Sequence, residues 1–325
     1  MVNRSNSRLG TLGLPLLPVA LLAGLLAGCQ DDGDDGKSSS PVIATISAGQ
    51  GPIILAATDD SVWVELHRED RVARIEPQDN KPESPLPGVP VHCDIQAAEE
   101  SVWATIHAQN LVTRFDAETG EVLQQVPIEG PCLMEVDGRS VWITSPDTGR
   151  LHRLVEGRDN PVESYDVGDA PFDMAATEDS MWITSEADGG VLRRFDLAAH
   201  EVTTVGAFPL VDTVVLASGY LWLLARDAGR IWKLDPSTGR VLDQSKLSLL
   251  PTGLVEHEEL VWLTSQEGVL TSIDPETLEV VSDADLGHLT LGPPIFAFGS
   301  LWTSALDENL VLRVDVAQIH ESTGR

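Results

Sequence analysis

The chain has 325 residues, 42% of them hydrophobic, which is enough apolar material for one large or two ordinary folded domains. Its 21 Lys and Arg against 51 Asp and Glu give a formal net charge of -30, which repels nucleic-acid phosphates and anionic lipid head groups. Composition therefore excludes disorder for most of the chain and argues against nucleic acid as a partner, whereas an acidic charge by itself is typical of a solvated surface.

The N-terminus combines a positively charged start with an uncharged apolar run over residues 12–27. This run is too short for a comfortable membrane-spanning helix, and it ends on the tetrapeptide LAGC at 26–29. That ending resembles the lipobox of bacterial lipoproteins. The resemblance implies that residues 1–28 are a signal peptide and that Cys29 becomes a lipid-bearing N-terminus anchored in a membrane. A plain secretory signal and an uncleaved anchor are the alternatives.

The residues after Cys29 bear on where the anchor lies. Gln30 stands where enteric-type lipoproteins retained in the inner membrane carry Asp, so the outer membrane is favoured, facing the periplasm or the cell surface. The segment DDGDDGKSSS at 31–40 has no apolar residue and cannot pack. Residues 29–40 are therefore predicted to be a flexible tether.

Seven of the eight tryptophans recur at intervals of 39 or 40 residues, each in a similar setting such as SVW, SMW or YLW. They are Trp63, Trp103, Trp142, Trp182, Trp222, Trp262 and Trp302. Such a period indicates seven copies of one structural unit. Each tryptophan is expected to fill the wedge between neighbouring units, the alternative being an aromatic lining that binds a ligand.

Within each unit, short β-branched runs alternate with Gly, Pro, Asn and Asp at a spacing that fits four strands. In the first unit these strands are predicted at 53–58, 62–66, 72–76 and 86–91. A small sheet with two apolar faces needs a neighbour on each side, which seven sheets around an axis supply. The predicted fold class is all-β: a seven-bladed β-propeller of four-stranded antiparallel blades over residues 41–318, with a tail at 319–325.

The two ends of the repeat predict how the ring closes. The last unit stops after its third strand, Leu310 to Val316, and an extra strand, Val42 to Ile46, precedes the first unit. We expect these ends to complete one blade together, because that pairing removes the open edges of a linear array. Deleting either the N-terminal strand or the last unit should then destabilise the whole propeller.

A second repeated feature follows most of the tryptophans by about 11 residues: a basic residue, an apolar residue and an acid, as in RFD at 114–116. We predict a repeated ion pair here, since residues two apart share one side of a strand. A turn such as DPSTG at 235–239 comes next. Together these motifs resemble the streptogramin (virginiamycin B) lyase-like, NHL and YVTN group of β-propellers over residues 41–318.

Members of that group include lyases, lactonases, ligand sensors and protein scaffolds. In the lyase branch the resemblance implies a metal held by His and Glu at the central opening, with a His in catalysis. The late units here have PTG at 251–253 and PPI at 293–295 where an innermost strand should begin, without His or acid. Their absence favours binding over catalysis.

Candidate site residues follow from propeller geometry, because one face collects the start of each innermost strand and the end of the next strand outward. In this chain the ionisable groups at those positions belong mostly to the first, second, fourth and fifth units, with Asp212 included if the fifth hairpin is one residue shorter. The alternative is ordinary loop polarity. If their side chains meet, His and carboxylates could hold a divalent metal or do acid-base chemistry. The residues expected to line any pocket are His67, His92, Asp94, His107, Asp173, Glu186, Asp212 and Arg226.

Cys93 and Cys132 stand ten residues before their tryptophans and so share a register in neighbouring blades. Export would permit a disulfide between them. However, equivalent positions in a ring point the same way round it, and a bridge needs a Cα separation of ~4.4 to 6.8 Å. Three possibilities stay open: a disulfide, two buried free thiols, or a metal site formed by His92, Cys93 and Asp94.

The sequence thus predicts a cell-envelope lipoprotein acting as a propeller binding or scaffold module for a protein, glycan or small ligand. Its expected partners are the membrane, through the N-terminal lipid, and an unidentified envelope protein or small ligand. No cofactor is expected for such a module. The alternative is a metal-dependent enzyme, streptogramin lyase-like or lactonase-like, which would use a divalent ion such as Mg²⁺, Ca²⁺ or Zn²⁺.

Overall fold

A computed structural model describes residues 40–83, 93–98, 100–155 and 162–319. Within these ranges, 28 strands form seven four-stranded antiparallel sheets, which are the blades of a seven-bladed β-propeller. The predicted fold class is therefore confirmed. No helix in the described ranges is long and apolar enough to cross a membrane. The predicted signal peptide, Cys29 and His92 lie outside the described residues.

Blades one to four each use four consecutive strands, numbered outward from the centre. Blade one comprises β2 Pro52–Ala57, β3 Val62–Leu66, β4 Arg71–Glu76 and β5 Lys81–Pro82; blade two β6 Ile95–Ala98, β7 Ser101–Ile106, β8 Leu111–Asp116 and β9 Val122–Pro127. Blade three comprises β10 Met134–Asp137, β11 Ser140–Ser145, β12 Arg150–Val155 and β13 Val162–Asp166; blade four β14 Pro171–Ala176, β15 Ser180–Ser185, β16 Val191–Asp196 and β17 Val202–Ala207.

The remaining blades follow the same pattern until the last, which borrows a strand from the other end of the chain. Blade five comprises β18 Thr213–Ala217, β19 Tyr220–Ala225, β20 Arg230–Leu234 and β21 Val241–Lys246; blade six β22 Pro251–His257, β23 Leu260–Ser265, β24 Val269–Ile273 and β25 Val280–Asp285; blade seven β26 Ile295–Ala297, β27 Ser300–Ala305, β28 Leu310–Val314 and β1 Val42–Ile46. Short 3-10 turns lie at His107–Gln109, Ala187–Gly189, Arg226–Ala228 and Leu306–Glu308.

The ring closes as predicted, through the N-terminal strand β1. This strand pairs antiparallel with β28, with Ile46 opposite Val311. The backbone N–H of Asp315 also donates to the carbonyl oxygen of Pro41 at 2.9 Å, which extends the pairing beyond the strand. The outer edge of blade seven is thus covered by the start of the folded chain.

The structure confirms three of the four predicted strands of blade one to within one residue. The outermost strand, β5, is only Lys81–Pro82 and pairs with the end of β4. The predicted range 86–91 lies outside the described residues.

The repeated tryptophans occupy the spaces between blades, as predicted. Each of seven apolar clusters joins the tryptophan of one blade to the core of the next; Trp63, for example, packs with Ile95, Val102 and Phe115 of blade two. All seven rings are at most 2% exposed. Because every interface between blades buries one of these large aromatic side chains, the tryptophans recur once per blade in the sequence.

In six of the seven blades the repeated basic residue lies over a neighbouring aromatic ring, whereas blade six has Ser272 at this position. Arg313, for example, has its guanidinium carbon 4.9 Å from the centre of the Trp302 ring. The predicted ion pair with the acid two residues along is wrong in blades one and four, where the arginine pairs instead with Glu83 or Asp179. Blade three has Val155 in place of that acid, and its Arg153 pairs with Glu163. The acid instead stabilises the turn that follows, since in the DPSTG turn an oxygen of Asp235 accepts the backbone N–H groups of Ser237 and Thr238.

A hydroxyl two residues after the tryptophan connects neighbouring blades. In five of the seven described interfaces this hydroxyl donates to a carbonyl oxygen at or just before the start of the innermost strand of the next blade, over 2.6 to 3.2 Å. The pairs are Thr105 with Cys132, Thr144 with Phe172, Thr184 with Asp212, Thr264 with Gly292 and Ser304 with Ile53. Glu65 and Leu224 take this position in blades one and five.

Replacing Thr144 by valine is expected to destabilise the protein by about 1–2 kcal/mol, because the buried carbonyl of Phe172 loses its donor while the side-chain volume is kept. Urea denaturation followed by tryptophan fluorescence measures this change. The control is Thr144→Ser, which keeps the hydroxyl and should lose less. A loss in Thr144→Ser but none in Thr144→Val would show that the methyl group, and not the hydrogen bond, matters at this interface.

Candidate functional site

The innermost strands of all seven blades enclose an axial cavity of about 790 Å³. Its charged lining is uneven. Asp94, Glu135, Asp173 and Arg226, from blades two to five, line it, whereas blades six, seven and one contribute apolar side chains, backbone and Thr252. The cavity thus has one polar and one largely apolar side.

Asp94 and Asp173 occupy equivalent places, nine residues before the tryptophans of blades two and four. Each carboxylate accepts a backbone N–H from the next blade: Asp94 from Met134 at 2.8 Å, and Asp173 from Val214 at 3.0 Å. Burial raises the pKa of Asp94 well above its usual range and that of Asp173 to about 7. Both carboxyl groups therefore link blades while lining the cavity.

Glu135 of β10 adds a third acid to this side. Burial and the nearby Asp173 carboxylate raise the pKa of Glu135 to about 7, although the backbone of Ala176 provides a hydrogen bond that opposes the shift. Carboxyl groups that titrate near neutrality can either donate or accept hydrogen bonds. The carboxyl groups on this side of the cavity can therefore gain or lose a proton when a polar group binds beside them.

Asp212 and Arg226 form an ion pair in blade five, with Nε of the arginine 2.9 Å from Oδ2 of the aspartate. Blades four and five pair their two inner strands in the same register, so Thr213 occupies the place of Asp173 and Asp212 lies one residue earlier. Arg226 lines the cavity, and its charge opposes the rise in the pKa of Asp173. Asp212 holds this guanidinium in position.

Three other sequence candidates lie at the periphery, in the loops that follow the second strands. His67 is 49% exposed, with Nδ1 3.6 Å from a carboxylate oxygen of Glu65. His107 places Nε2 3.3 Å from Asp147. Glu186 is exposed at the start of a 3-10 turn. None of the three is among the residues that line the axial cavity.

The metal set implied by the family resemblance needs His and Glu side chains at the central opening. Among the described residues, no group of three or more His, Cys, Asp and Glu side chains is placed to hold a metal ion. The cavity carboxylates of Asp94 and Asp173 are instead engaged by backbone N–H groups. The described residues therefore do not fit the ligand set of that resemblance.

Two acids whose pKa values are raised were not identified from the sequence, the buried Glu65 and the partly buried Glu135. Glu65 on β3 is 2% exposed, and burial raises its pKa to about 7. An alignment of the seven units reveals it, because it occupies the position of the blade-linking Thr and Ser hydroxyls. Glu135 is found in the same way, as the one acid in a register that otherwise holds small, apolar or amide side chains.

No protein-family model matches the sequence, and no curated protein matches it. Similar solved structures include a streptogramin B lyase, with TM-score 0.68 and 15% identity over 82% of this chain and 93% of that chain. BamB from Moraxella catarrhalis gives TM-score 0.59 and 13% identity over 80% of this chain and 83% of its own. A chain of the mitotic checkpoint complex gives TM-score 0.71 and 16% identity, covering 92% and 99%. At these identities the likeness shows the seven-bladed β-propeller fold alone.

Proposed function

We propose that this chain is a cell-envelope lipoprotein, anchored through Cys29, whose propeller is a non-catalytic binding module for a small polar ligand. The main support for this proposal is the axial cavity of about 790 Å³, which has one polar side and one largely apolar side. A cavity of that size falls in the usual range for small-molecule sites, roughly 300–1,000 Å³. The LAGC motif at 26–29 and the apolar-free tether support the envelope location.

The charged residues in the cavity favour some classes of ligand over others. Three acids face it, and its cation, Arg226, already pairs with Asp212. A neutral or cationic ligand rich in hydroxyl or amine donors would satisfy these carboxyl groups, whereas an anion would meet repulsion. The apolar side, which includes Ile295 and Phe296, would pack against its less polar face. A small saccharide or amino sugar has this combination of faces.

Binding in the cavity predicts thermal stabilisation that a bulky cavity residue abolishes. In a melting screen with neutral saccharides, amino sugars and small amines, a ligand at 100 times its Kd should stabilise the wild type by about 2.7 kcal/mol. Ala97→Trp, which places a bulky ring at the cavity wall, should lose the shift. Ala199→Trp, on an exposed turn, should keep it. A shift that survives Ala97→Trp would place binding elsewhere and contradict the proposal.

The metal-dependent enzyme is the competing function, and the same assay separates it. The binding module predicts that millimolar Mg²⁺, Ca²⁺ or Zn²⁺ leaves the melting temperature unchanged and that the purified protein carries no stoichiometric metal. A bound divalent ion, together with lytic or lactonase turnover that a chelator abolishes, would overturn the proposal in favour of the enzyme.

A further inference from the structure

Cys93 and Cys132 face each other across the interface between blades two and three. Their Sγ atoms are 2.6 Å apart, without a covalent bond between them. That separation is closer than two nonbonded sulfur atoms pack and about half an ångström beyond a disulfide bond of about 2.04 Å. Cys132 is 7% exposed, and Cys93 is half-buried and lines the axial cavity.

The backbone explains why two cysteines in equivalent positions meet instead of pointing the same way around the ring. The N–H of Cys132 donates to the carbonyl oxygen of Thr144 in its own blade, at 2.8 Å. Its carbonyl oxygen accepts the hydroxyl of Thr105 in blade two, at 2.6 Å. Cys132 is thus fixed to both blades, and the interface holds its sulfur against that of Cys93.

We propose that Cys93 and Cys132 form an inter-blade disulfide when the chain meets an oxidising compartment. The oxidant is a disulfide-bearing thiol oxidant, such as an exported oxidase or oxidised glutathione. One cysteine thiolate attacks the oxidant's S–S bond and displaces one thiol; the second cysteine thiolate then attacks the mixed disulfide and displaces the other. Two protein thiols and one oxidant disulfide become one protein disulfide and two oxidant thiols.

The bond would act as a staple beside the polar side of the cavity. It closes a long loop between the innermost strands of two blades, which restricts the unfolded chain. The carboxylate of Asp94, next to Cys93, accepts the backbone N–H of Met134 across the same interface. Oxidation would therefore also hold Asp94 at the cavity wall, and reduction would loosen this part of the lining.

Peptide mapping of the full-length protein tests the proposal. The protein is purified from membranes without reductant, denatured, blocked with N-ethylmaleimide and digested. We expect a linked peptide pair that contains Cys93 and Cys132, with maleimide on both only after reduction. Both cysteines carrying maleimide without reduction, even after the folded protein is incubated with oxidised glutathione, would overturn the proposal. This measurement needs no variant, and its glutathione arm does not depend on export or ligand binding.

A stability measurement shows whether the disulfide between Cys93 and Cys132 stabilises the folded protein. Reduction should lower the melting temperature of the wild type by roughly 5–10 °C. The double variant Cys93→Ala/Cys132→Ala should melt close to the reduced wild type and be unaffected by reductant. An equal melting temperature for oxidised and reduced wild type would count against the staple.

Discussion

Replacing Ile46 by aspartate is expected to lower the free energy of unfolding by on the order of 4 kcal/mol, a large part of the roughly 5–15 kcal/mol that stabilises a typical folded protein. Ile46 is 3% exposed on β1 and packs with Leu55, Val64 and Trp302. The substitution removes a buried side chain and places an unpaired charge in its cavity. Because β1 closes the ring, the loss should appear as one cooperative transition of the whole propeller and not as fraying of one blade.

The matched control lies on the same strand. Ile43 is 47% exposed, so Ile43→Asp keeps the strand pairing and should change stability by no more than ~0.5 kcal/mol. Urea denaturation monitored by tryptophan fluorescence and circular dichroism measures both variants. Similar losses at the two positions would contradict a closure that depends on the buried face of β1, and a loss confined to blade seven would contradict cooperative closure.

The fold was predictable because a tryptophan lies at every interface between blades. Each repeated tryptophan is nearly fully buried between two blades, so its spacing measures the blade length directly. The outermost strand of blade one was not predictable, because a pairing of only two residues leaves no alternating pattern in the sequence. The structure places that strand at Lys81–Pro82.

The sequence predicted where the candidate site lies better than it predicted how its side chains interact. Asp94 and Asp173 line the cavity at the strand starts chosen from the sequence. The loop candidates lie one strand farther from the centre, and of these Arg226 lines the cavity because its long side chain spans the gap. What the sequence could not reveal is that the carboxylates accept hydrogen bonds from the next blade, since this depends on the relative position of two blades.

Stability is expected to fall as the pH rises from about 4.5 to about 7, opposite to the usual behaviour of paired carboxylates. Glu65 has a pKa of about 7 in the folded protein, against its ordinary 4.5, because burial penalises the charged form. The folded state then binds more protons than the unfolded state between these pH values, so the slope of unfolding free energy with pH is negative. The stability contributed by protonated Glu65 is complete below about pH 4.5 and lost above about pH 7.

The surroundings of Glu65 offer little to offset a buried negative charge. The backbone of Ile54 provides a hydrogen bond that lowers its pKa, but less than burial raises it. His67 lies 3.6 Å away and is half exposed. On the cavity side, Glu65 faces Asp94 and Cys93, whose pKa values its charge raises further. The charged form is therefore destabilised both by burial and by like charge.

Glu65→Gln should remove this pH dependence at one site, because the amide keeps the shape and cannot ionise. At pH 8 the variant should be more stable than the wild type by on the order of 2–3 kcal/mol, and at pH 4.5 the two should agree within about 1 kcal/mol. Urea denaturation at four pH values between these limits measures the difference. Glu118→Gln, at an exposed turn, is the control and should leave the profile unchanged. A difference between Glu65→Gln and wild type that does not grow with pH would show that Glu65 ionises normally in the folded propeller.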